Sequence, residues 1–253
     1  MRGRDRYGVE VVFDHVLIRV SDRTASERFY STVLEPLGIV PFQPLPAITR
    51  WEDFGVTEAD AEHPVTRGLH VAFAAPSREH VDAFWRTGTQ SGYRDGGAPG
   101  ARPEYGEDYY GGFLFDPDGN SVEAVHHEHL RTDGLVDHLW IRVADVAAAR
   151  RFYATVAPHA GFALSTDTPE RAQFAGESGS FSLVAGPPTE HVHVAFPTDE
   201  DTIVDAFHAA ATSAGYRDHG APGERPVYHP GYYGAFVLGP DGNNVEVVNH
   251  NGE

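Results

Sequence analysis

The stretch DPDGNSVEAV, from Asp116 to Val125, recurs almost unchanged as GPDGNNVEVV, from Gly239 to Val248. Corresponding residues in the two copies lie 123 positions apart. The run Pro-Asp-Gly favours a tight turn, so each copy predicts a hairpin that leads into a final strand. Each of these strands carries one glutamate, Glu123 or Glu246, among small apolar residues. The recurrence indicates an internal duplication.

The duplication extends over most of the chain. FDHVLIRVSDRTASERFYSTV, from Phe13, returns as VDHLWIRVADVAAARRFYATV, from Val136. GYRDGGAPGARPEY, from Gly92, returns as GYRDHGAPGERPVY, from Gly215, at the same offset. This predicts two similar domains, residues 10–130 and 135–250, joined by a short polar linker. The linker region contains His126, His127 and His129, which we expect to be exposed.

Each copy divides again into two smaller units. A strand with alternating residues, such as DHVLIRV, is followed by a helical pattern and then by further strand-like segments. Each domain is therefore expected to contain two βαβββ units, which makes four in the chain. The predicted fold class is α+β, with two tandem domains whose cupped mixed sheets carry the helices on their outer face.

Composition excludes several classes of protein and partner. The 253 residues include no cysteine, which excludes disulfides, thiolate zinc sites and cysteine nucleophiles. The net charge of −18 argues against a nucleic acid partner. No apolar run approaches the roughly 20 residues that span a bilayer, which argues against a membrane protein. We expect a cytoplasmic protein that acts on a small molecule, with a homodimer as one option for its assembly.

Strand alternation predicts which side chains face away from the helices. In DHVLIRV the apolar residues Val16, Ile18 and Val20 share one face, which we expect to pack on the helices. His15 then lies on the opposite, open face. The same reasoning applies to the other strand histidines and to both glutamates. The residues expected on the open faces are His15, His70, Glu123, His138, His193 and Glu246.

These six residues predict two metal sites, one in each domain. We expect His15, His70 and Glu123 to converge in the first cup. In the second cup we expect His138, His193 and Glu246. Two neutral imidazoles and one carboxylate form a facial triad, which is typical of non-haem Fe(II). Mn, Ni, Zn and Co are alternative occupants. A single strand histidine is more often a hydrogen-bonding partner, so the prediction depends on the combination.

The motifs DHVLIRV…ERFYSTVLEPLG, HVAFAAP and FDPDGNSVEAV resemble the vicinal oxygen chelate superfamily. This group includes glyoxalase I, type I extradiol dioxygenases, and bleomycin- and fosfomycin-resistance proteins. The resemblance covers about residues 11–250 and implies paired βαβββ units that form a cup around a metal. Four units in one chain look most like an extradiol dioxygenase, whose iron ligands in the C-terminal domain would correspond to His138, His193 and Glu246.

The resemblance also implies catalytic residues, with some departures from the family patterns. His229 lies at a compatible distance before Glu246 and is the acid/base candidate, although its counterpart in the first copy is Gly106. Independently of the resemblance, tyrosines cluster in the loop before each last hairpin. Aromatic packing is the default interpretation of this cluster, and the alternative is that Tyr110 and Tyr233 donate a hydroxyl to a metal-bound oxyanion. A glyoxalase I would require a fourth ligand. Glu52 lies in about that region, but its counterpart is Ala175.

The sequence therefore predicts a metal-dependent enzyme that chelates adjacent oxygens of a small substrate. The ligand set favours a dioxygenase-like oxidoreductase with Fe(II). A glyoxalase-type lyase or isomerase is the first alternative. A drug-sequestering resistance protein is the second, and it would not need complete metal triads.

Overall fold

The computed structural model describes residues 12–45, 47–128, 134–176 and 178–251, without the side chains of residues 43–45. These ranges contain four successive βαβββ units, which we number 1 to 4. The predicted α+β class and the four units are confirmed. Residues 10, 11, 129 and 130, which lie in the predicted first domain, are outside the described residues, and His129 of the linker is therefore outside them too.

Units 1 and 2 make up the first half of the chain. Unit 1 consists of β1 (His15–Val20), α1 (Arg23–Leu34), β2 (Phe42–Leu45), β3 (Ile48–Trp51) and β4 (Phe54–Glu58). Unit 2 consists of β5 (His70–Ala74), α2 (Arg78–Gln90), β6 (Arg94–Ala101), β7 (Tyr110–Phe115) and β8 (Ser121–His126). In unit 1 a short 3₁₀ helix, Glu35–Leu37, follows α1.

Units 3 and 4 repeat this order in the second half. Unit 3 consists of β9 (Val136–Val143), α3 (Val146–Val156), β10 (Ala163–Asp167), β11 (Arg171–Gly176) and β12 (Gly179–Ala185). Unit 4 consists of β13 (His193–Pro197), α4 (Asp201–Ser213), β14 (Arg217–Glu224), β15 (Tyr233–Leu238) and β16 (Asn244–Asn249). A second 3₁₀ helix, Ala157–His159, follows α3.

Local sequence explains where these elements begin and turn. Asp22 caps α1 by accepting a hydrogen bond from the backbone N–H of Ala25, and Asp145 caps α3 in the same way. The turn between β7 and β8 closes with a hydrogen bond from the N–H of Gly119 to the carbonyl of Asp116. Gly119 has a φ of 89°, which favours glycine. The predicted turn is therefore present.

The strands form two eight-stranded mixed sheets. In the first sheet the order is β14-β15-β16-β13-β1-β4-β3-β2, so it combines unit 4 with unit 1. In the second sheet the order is β10-β11-β12-β9-β5-β8-β7-β6, which combines unit 3 with unit 2. Each sheet is continuous because β1 pairs antiparallel with β13, and β5 pairs antiparallel with β9.

The expectation that the two units of one half share a cup is wrong. Unit 1 pairs with unit 4, and unit 2 pairs with unit 3. Strand alternation could not have revealed this, because it determines which face a side chain occupies and not which strand lies alongside. The ranges 10–130 and 135–250 describe the sequence repeat, and their status as separate domains stays a prediction.

Contacts between the halves hold this arrangement. The carboxylate of Asp53, at the start of unit 1's last strand, accepts hydrogen bonds from the backbone N–H groups of Leu135 and Val136. The buried hydroxyl of Thr66 donates to the carbonyl of His191, and that of Thr189 donates to the carbonyl of Gly68. Buried partners of this kind are costly to separate, so they favour the crossed pairing of units.

The core lies between the sheets and the helices. Val16, Ile18 and Val20 are fully buried, which confirms that this face of β1 packs inward. Aromatic residues of the helices fill the space beneath them, including Phe29 of α1 and Phe152 of α3. The opposite, concave faces carry the unusual histidines and glutamates. Among the described residues, no helix is long and apolar enough to cross a membrane.

Candidate metal centres

The side chains that face away from the helices meet over the middle of each sheet. In the second sheet, Ala72 of β5 lies opposite Glu123 of β8 on one side and opposite His138 of β9 on the other. His70 precedes Ala72 by two residues, so its side chain points to the same face. Three candidate ligands from three neighbouring strands therefore gather around one small side chain.

The first sheet repeats this arrangement around Ala195 of β13. Ala195 lies opposite Glu246 of β16 and opposite His15 of β1, and His193 precedes it by two residues. We name the group of His15, His193 and Glu246 centre 1. The group of His70, Glu123 and His138 is centre 2. Within each centre, one potential ligand atom of every residue lies within 4.8 Å of the others.

The predicted grouping of the six residues is therefore wrong, although the six themselves gather. His138 does not join His193 and Glu246, and His15 does not join the other two candidates of the first half. Each centre takes one histidine from one half of the chain, and its second histidine and glutamate from the other half. The cause is the crossed pairing of units, which exchanges β1 and β9 between the two cups.

In centre 1 three side-chain atoms converge. Nε2 of His193 lies 3.0 Å from Nε2 of His15 and 3.1 Å from Oε2 of Glu246. Nε2 of His15 lies 3.8 Å from the same Oε2. The two imidazole rings are 5.0 Å apart between centroids and inclined by 34°. Both rings thus present the same nitrogen to one carboxylate oxygen.

Centre 2 has the same geometry. Nε2 of His70 lies 3.0 Å from Oε2 of Glu123, and Nε2 of His138 lies 3.6 Å from that oxygen. The centroids of the two rings are 5.5 Å apart and the rings are inclined by 33°. The structural repeat has therefore preserved the atoms that face the middle of each cup as well as the residue types.

Both centres fit a divalent cation. If two ligand atoms each lie about 2.1 Å from one ion, and the angle between them at the ion is between about 90° and the tetrahedral value, they lie roughly 3.0 to 3.4 Å from each other. Most of the distances between the candidate ligand atoms are close to this range. Glu123 and Glu246 have side chains only 1% exposed. A buried carboxylate requires a compensating charge, which a cation beside Oε2 would provide. Among the described residues three protein ligands gather at each centre, so a fourth ligand from Glu52 is not supported.

The nitrogen of each imidazole that faces away from the centre is also held. Nδ1 of His15 lies 2.6 Å from Oδ1 of Asp14, and Nδ1 of His138 lies 2.8 Å from Oδ1 of Asp137. A carboxylate can only accept, so Nδ1 carries the proton in both rings. In the neutral form of each ring, Nε2 then has its lone pair directed into the centre. Metal-binding histidines are commonly oriented by an acceptor at the other nitrogen.

The other histidine of each centre is anchored by a neutral side chain. Nδ1 of His70 lies 2.9 Å from Oγ of Ser121, which can accept its proton. Nδ1 of His193 lies 2.6 Å from Nδ2 of Asn244, while Oδ1 of Asn244 is buried without a hydrogen-bond partner among the described residues. A half-turn of the carboxamide places Oδ1 against Nδ1–H and satisfies that oxygen. All four rings can then present a free Nε2.

Burial lowers the pKa of His70 and of His193, and hydrogen bonds to the glutamates only partly oppose this. Both imidazoles are therefore neutral at pH 7, as a metal ligand must be. The outer carboxylates show the opposite balance. Burial raises the pKa of Asp14 and Asp137, but the hydrogen bonds from two histidines to each carboxylate outweigh burial and hold the pKa well below its usual range.

The predicted catalytic tyrosines do not contact the centres. Tyr110 donates a hydrogen bond to Asp82 of α2, and Tyr233 donates to Asp205 of α4, so both face the helices. The preceding residue of each pair, Tyr109 or Tyr232, has its hydroxyl at the centre instead. The catalytic role of Tyr110 and Tyr233 stays a prediction. These tyrosines lie where the loop passes into the strand, so alternation does not indicate which member of each Tyr-Tyr pair reaches a centre.

Tyr109 and Tyr232 are the tyrosines at the centres. The hydroxyl of Tyr109 lies 2.7 Å from Oε1 of Glu123, and that of Tyr232 lies 2.6 Å from Oε1 of Glu246. Burial and the adjacent carboxylate raise the pKa of both hydroxyls. Both tyrosines therefore remain protonated donors. They hold one carboxylate oxygen of each glutamate and leave Oε2 directed at the histidines.

His229 lies outside centre 1 and is connected to it through a chain of hydrogen bonds. Its Nε2 lies 2.8 Å from Nδ1 of His250, and Nε2 of His250 lies 2.7 Å from Oδ2 of Asp14. Nδ1 of His229 lies 2.8 Å from the carbonyl oxygen of Pro230. The acid/base role predicted for His229 stays a prediction, and it would have to act through His250 and Asp14, which holds His15.

His127 was expected in an exposed linker, and the structure places it beside centre 2. Its Nε2 lies 2.9 Å from Oδ2 of Asp137, and its ring stacks on Tyr109 with 6.2 Å between centroids. His127 thus corresponds to His250, whereas Gly106 stands where centre 1 has His229. The recurrence of Asp-His at 14–15 and 137–138, and of histidine at 127 and 250, was the sequence feature that could have identified these anchors.

Comparisons with known proteins agree with this architecture. The family model described as Glyoxalase/Bleomycin resistance protein/Dioxygenase superfamily matches residues 135–247. The structure of glyoxalase I from Zea mays is similar over 94% of this chain and 92% of that chain, with 20% sequence identity and a TM-score of 0.66. A candidate dioxygenase from Bacillus subtilis is similar over 98% of this chain and 86% of that one, with 12% identity and a TM-score of 0.63.

A shorter protein has higher sequence identity. The glyoxalase/bleomycin resistance protein from Albidiferax ferrireducens is 34% identical, covers 46% of this chain and is itself covered completely, with a TM-score of 0.42. No curated protein sequence matches this chain significantly. The family match covers the second half, and the internal repeat extends its motifs into the first. The chain belongs to the glyoxalase/bleomycin resistance protein/dioxygenase superfamily, the vicinal oxygen chelate group.

Proposed function

We propose that this protein is a metal-dependent enzyme that binds a small substrate through two adjacent oxygen atoms at centres 1 and 2. The observation that carries the proposal is the arrangement of the imidazoles. All four direct Nε2 at a buried glutamate Oε2, and all four have an anchor at Nδ1. Histidines that only pair with a carboxylate do not need this second set of anchors.

The residues of each centre would have distinct roles. In centre 2, His70, His138 and Oε2 of Glu123 would hold the cation. When bound, the cation would supply Lewis-acid polarisation of the substrate oxygens. Tyr109 would keep Oε1 of Glu123 occupied, so that one oxygen faces the cation. Asp137 would fix the orientation and the tautomer of His138. Centre 1 would work in the same way with the corresponding residues.

Within this function we favour a dioxygenase-like oxidoreductase that uses Fe(II). The support is the ligand set, because two histidines and one carboxylate leave open positions that suit both a chelating substrate and O₂. The likeness to glyoxalase I is at 20% identity and bears on the fold alone. A glyoxalase-type lyase would be expected to use a further protein ligand, which the described residues do not provide. Drug sequestration would require neither the triads nor their anchors.

Metal content and reactivity test the proposal together. The protein is purified without oxygen, its metal content is measured, and samples loaded with Fe(II), Mn(II), Ni(II) or Zn(II) are assayed with catechols and with glutathione hemithioacetals. We expect up to two metal ions per chain and O₂ uptake with catechols in the Fe(II) sample. Activity on hemithioacetals with Ni(II) or Zn(II) would favour the lyase. Absence of stoichiometric metal binding would overturn the proposal.

A further inference from the structure

The walls beside the two centres differ although the ligands are the same. We call Trp140, Ser182, Gln173 and Arg171 wall 2, which lies next to centre 2 on β9, β12 and β11. Ser182 lies opposite both Trp140 and Gln173 in the sheet register, and all four face the concave side. The corresponding wall 1 beside centre 1 consists of Leu17, Gly55, Arg50 and Ile48.

Trp140 brings an aromatic surface close to centre 2. Its ring lies 6.2 Å from the ring of His70, measured between centroids, and the two rings meet at 67°. Tyr105 meets the same indole edge-on at 5.7 Å and is itself 50% exposed. The indole is only partly buried, so it borders the open part of the cup. A flat ligand ring at centre 2 would lie beside this surface.

Arg171 adds a positive charge at the same place. Its guanidinium carbon lies 5.1 Å from the centroid of the Trp140 ring, and its Nε donates to Oγ of Ser182 at 3.1 Å. Ser182 is 1% exposed, so this contact fixes the guanidinium over the indole. No acceptor for the two terminal NH₂ groups of Arg171 lies among the described residues. These groups are therefore available for a carboxylate, which arginine binds through paired hydrogen bonds.

Wall 1 lacks this combination. Leu17 stands in place of Trp140 and Ile48 in place of Arg171. Wall 1 does contain an arginine, Arg50, at the position of Gln173, but its NH2 group donates to the backbone carbonyl of Glu52 at 3.3 Å. Arg19 of β1, which lies on the same strand face as His15, corresponds to Arg142 of β9.

Both cups also contain one arginine–aromatic pair beside a candidate ligand, Arg225–Phe236 near His193 and Arg102–Phe113 near His70. These two pairs are equivalent and do not distinguish the cups. Of the two walls, wall 2 alone adds a further guanidinium over an aromatic ring.

We propose that Trp140 and Arg171 make centre 2 selective for a planar, anionic substrate such as an aromatic carboxylate, and that centre 1 lacks this selectivity. The inference rests on the proposed function, because it takes centre 2 as a substrate site. The charge of wall 2 has the opposite sign to the charge of the whole chain. The chain has a net charge of −18, yet the wall that faces the candidate ligands is positive.

Three small probes separate the contributions of the ring and the charge. Benzoate is planar and anionic, benzamide is planar and neutral, and cyclohexanecarboxylate is anionic but not planar. Each is titrated into the full-length protein by ligand-observed NMR, both in the metal-loaded form and after treatment with EDTA. We expect benzoate to bind about tenfold more tightly than either analogue in both forms, since it alone can use both residues.

Variants that convert wall 2 into wall 1 identify the residues responsible. In Arg171→Ile we expect the preference for benzoate over benzamide to disappear. In Trp140→Leu we expect the preference for benzoate over cyclohexanecarboxylate to disappear. Trp140→Phe keeps an aromatic ring, so we expect it to retain most of the preference for benzoate over cyclohexanecarboxylate. The matched control is Arg50→Gln, which removes an arginine from wall 1 and inserts the wall 2 residue. We expect it to change benzoate affinity less than twofold.

The inference is overturned if wild-type protein does not prefer benzoate, or if Arg50→Gln lowers its affinity as much as Arg171→Ile. Metal content measured on the same samples keeps the two proposals apart. Two bound metal ions without a benzoate preference would contradict this inference alone. A benzoate preference that depends on Arg171, in a protein that binds no metal, would contradict the proposed metal chemistry and leave the anion site intact.

Discussion

Centres 1 and 2 share their ligand atoms and differ in what surrounds them. Each has two Nε2 atoms, one Oε2 and a tyrosine on Oε1. Beyond this shell, centre 1 has Asn244 and His229 where centre 2 has Ser121 and Gly106. Leu17 of wall 1 occupies the position that corresponds to Trp140 of wall 2. The constant part would hold a cation under the proposed function, and the variable part is what a substrate would meet.

The comparison shows that the inner residues of the two centres are the same and that the residues around them differ. Each half of the chain contributes ligands to both centres, but each ligand belongs to one centre only. Unit 1 supplies His15 to centre 1, for example, and unit 2 supplies His70 and Glu123 to centre 2. Breaking one centre without the other is therefore a demanding test of the arrangement.

Removing a candidate ligand should have the largest effect. His15→Ala is expected to reduce bound metal from two ions to one, because the affinity of centre 1 falls by more than the roughly 10- to 100-fold typical of outer residues. His138→Ala should do the same at centre 2. Calorimetric titration with Mn(II) measures both. His63→Ala, an exposed histidine paired with Asp60, is the control and should keep both ions.

Removing an outer carboxylate should have the next largest effect. Asp14→Asn and Asp137→Asn each retain the shape of the side chain but remove the negative charge that accepts a hydrogen bond from Nδ1 of the histidine. We expect metal affinity to fall about 10- to 100-fold at one centre and to stay unchanged at the other. Equal losses at both centres in either variant would show that the two carboxylates do not act locally.

Adding one methyl group beside each glutamate should have a smaller effect. A Cβ on Gly111 or Gly234 would press against Oε1 of Glu123 or Glu246, at 2.6 Å in the latter case. The carboxylate would have to move, so Gly234→Ala is expected to weaken metal binding at centre 1 about tenfold and to cost about 1–3 kcal/mol of stability. Gly106→Ala, which meets nothing closer than 3.6 Å, should leave both properties unchanged.

The smallest of these effects is expected from the tyrosine hydroxyls. Tyr109→Phe and Tyr232→Phe remove one donor from a buried carboxylate and should weaken metal binding about two- to tenfold at one centre each. Tyr110→Phe and Tyr233→Phe are the matched controls, because their hydroxyls bond to Asp82 and Asp205 of the helices. A larger loss in the controls than in the test variants would contradict the assignment.

Much of the fold followed from local sequence rules. The repeat at offset 123 predicted four similar units, and alternation in β1 placed His15 on the open face and Val16 in the core. These features depend on residues close in sequence, for which backbone geometry is decisive. The identity of the six candidate ligands followed from the same rules, because all six lie within regular strands.

The rest depended on contacts between distant parts of the chain. Whether β1 pairs with β5 or with β13 leaves the alternation of β1 unchanged, so the grouping of the triads could not be deduced from it. Which tyrosine of each pair lies at a centre could not be deduced either, because Tyr109 lies outside β7, where alternation no longer applies. His127 looked like a linker residue because its partner, Asp137, belongs to another unit.

The most direct test of the account is the metal content of the double variant His15→Ala/Glu246→Ala, measured beside wild type. Both residues belong to centre 1, so the account predicts that one metal ion per chain is lost and that centre 2 keeps its own with unchanged affinity. If each half of the chain formed its own triad, the two substitutions would disable both sites. Complete loss of bound metal from a folded double variant would therefore contradict the shared centres.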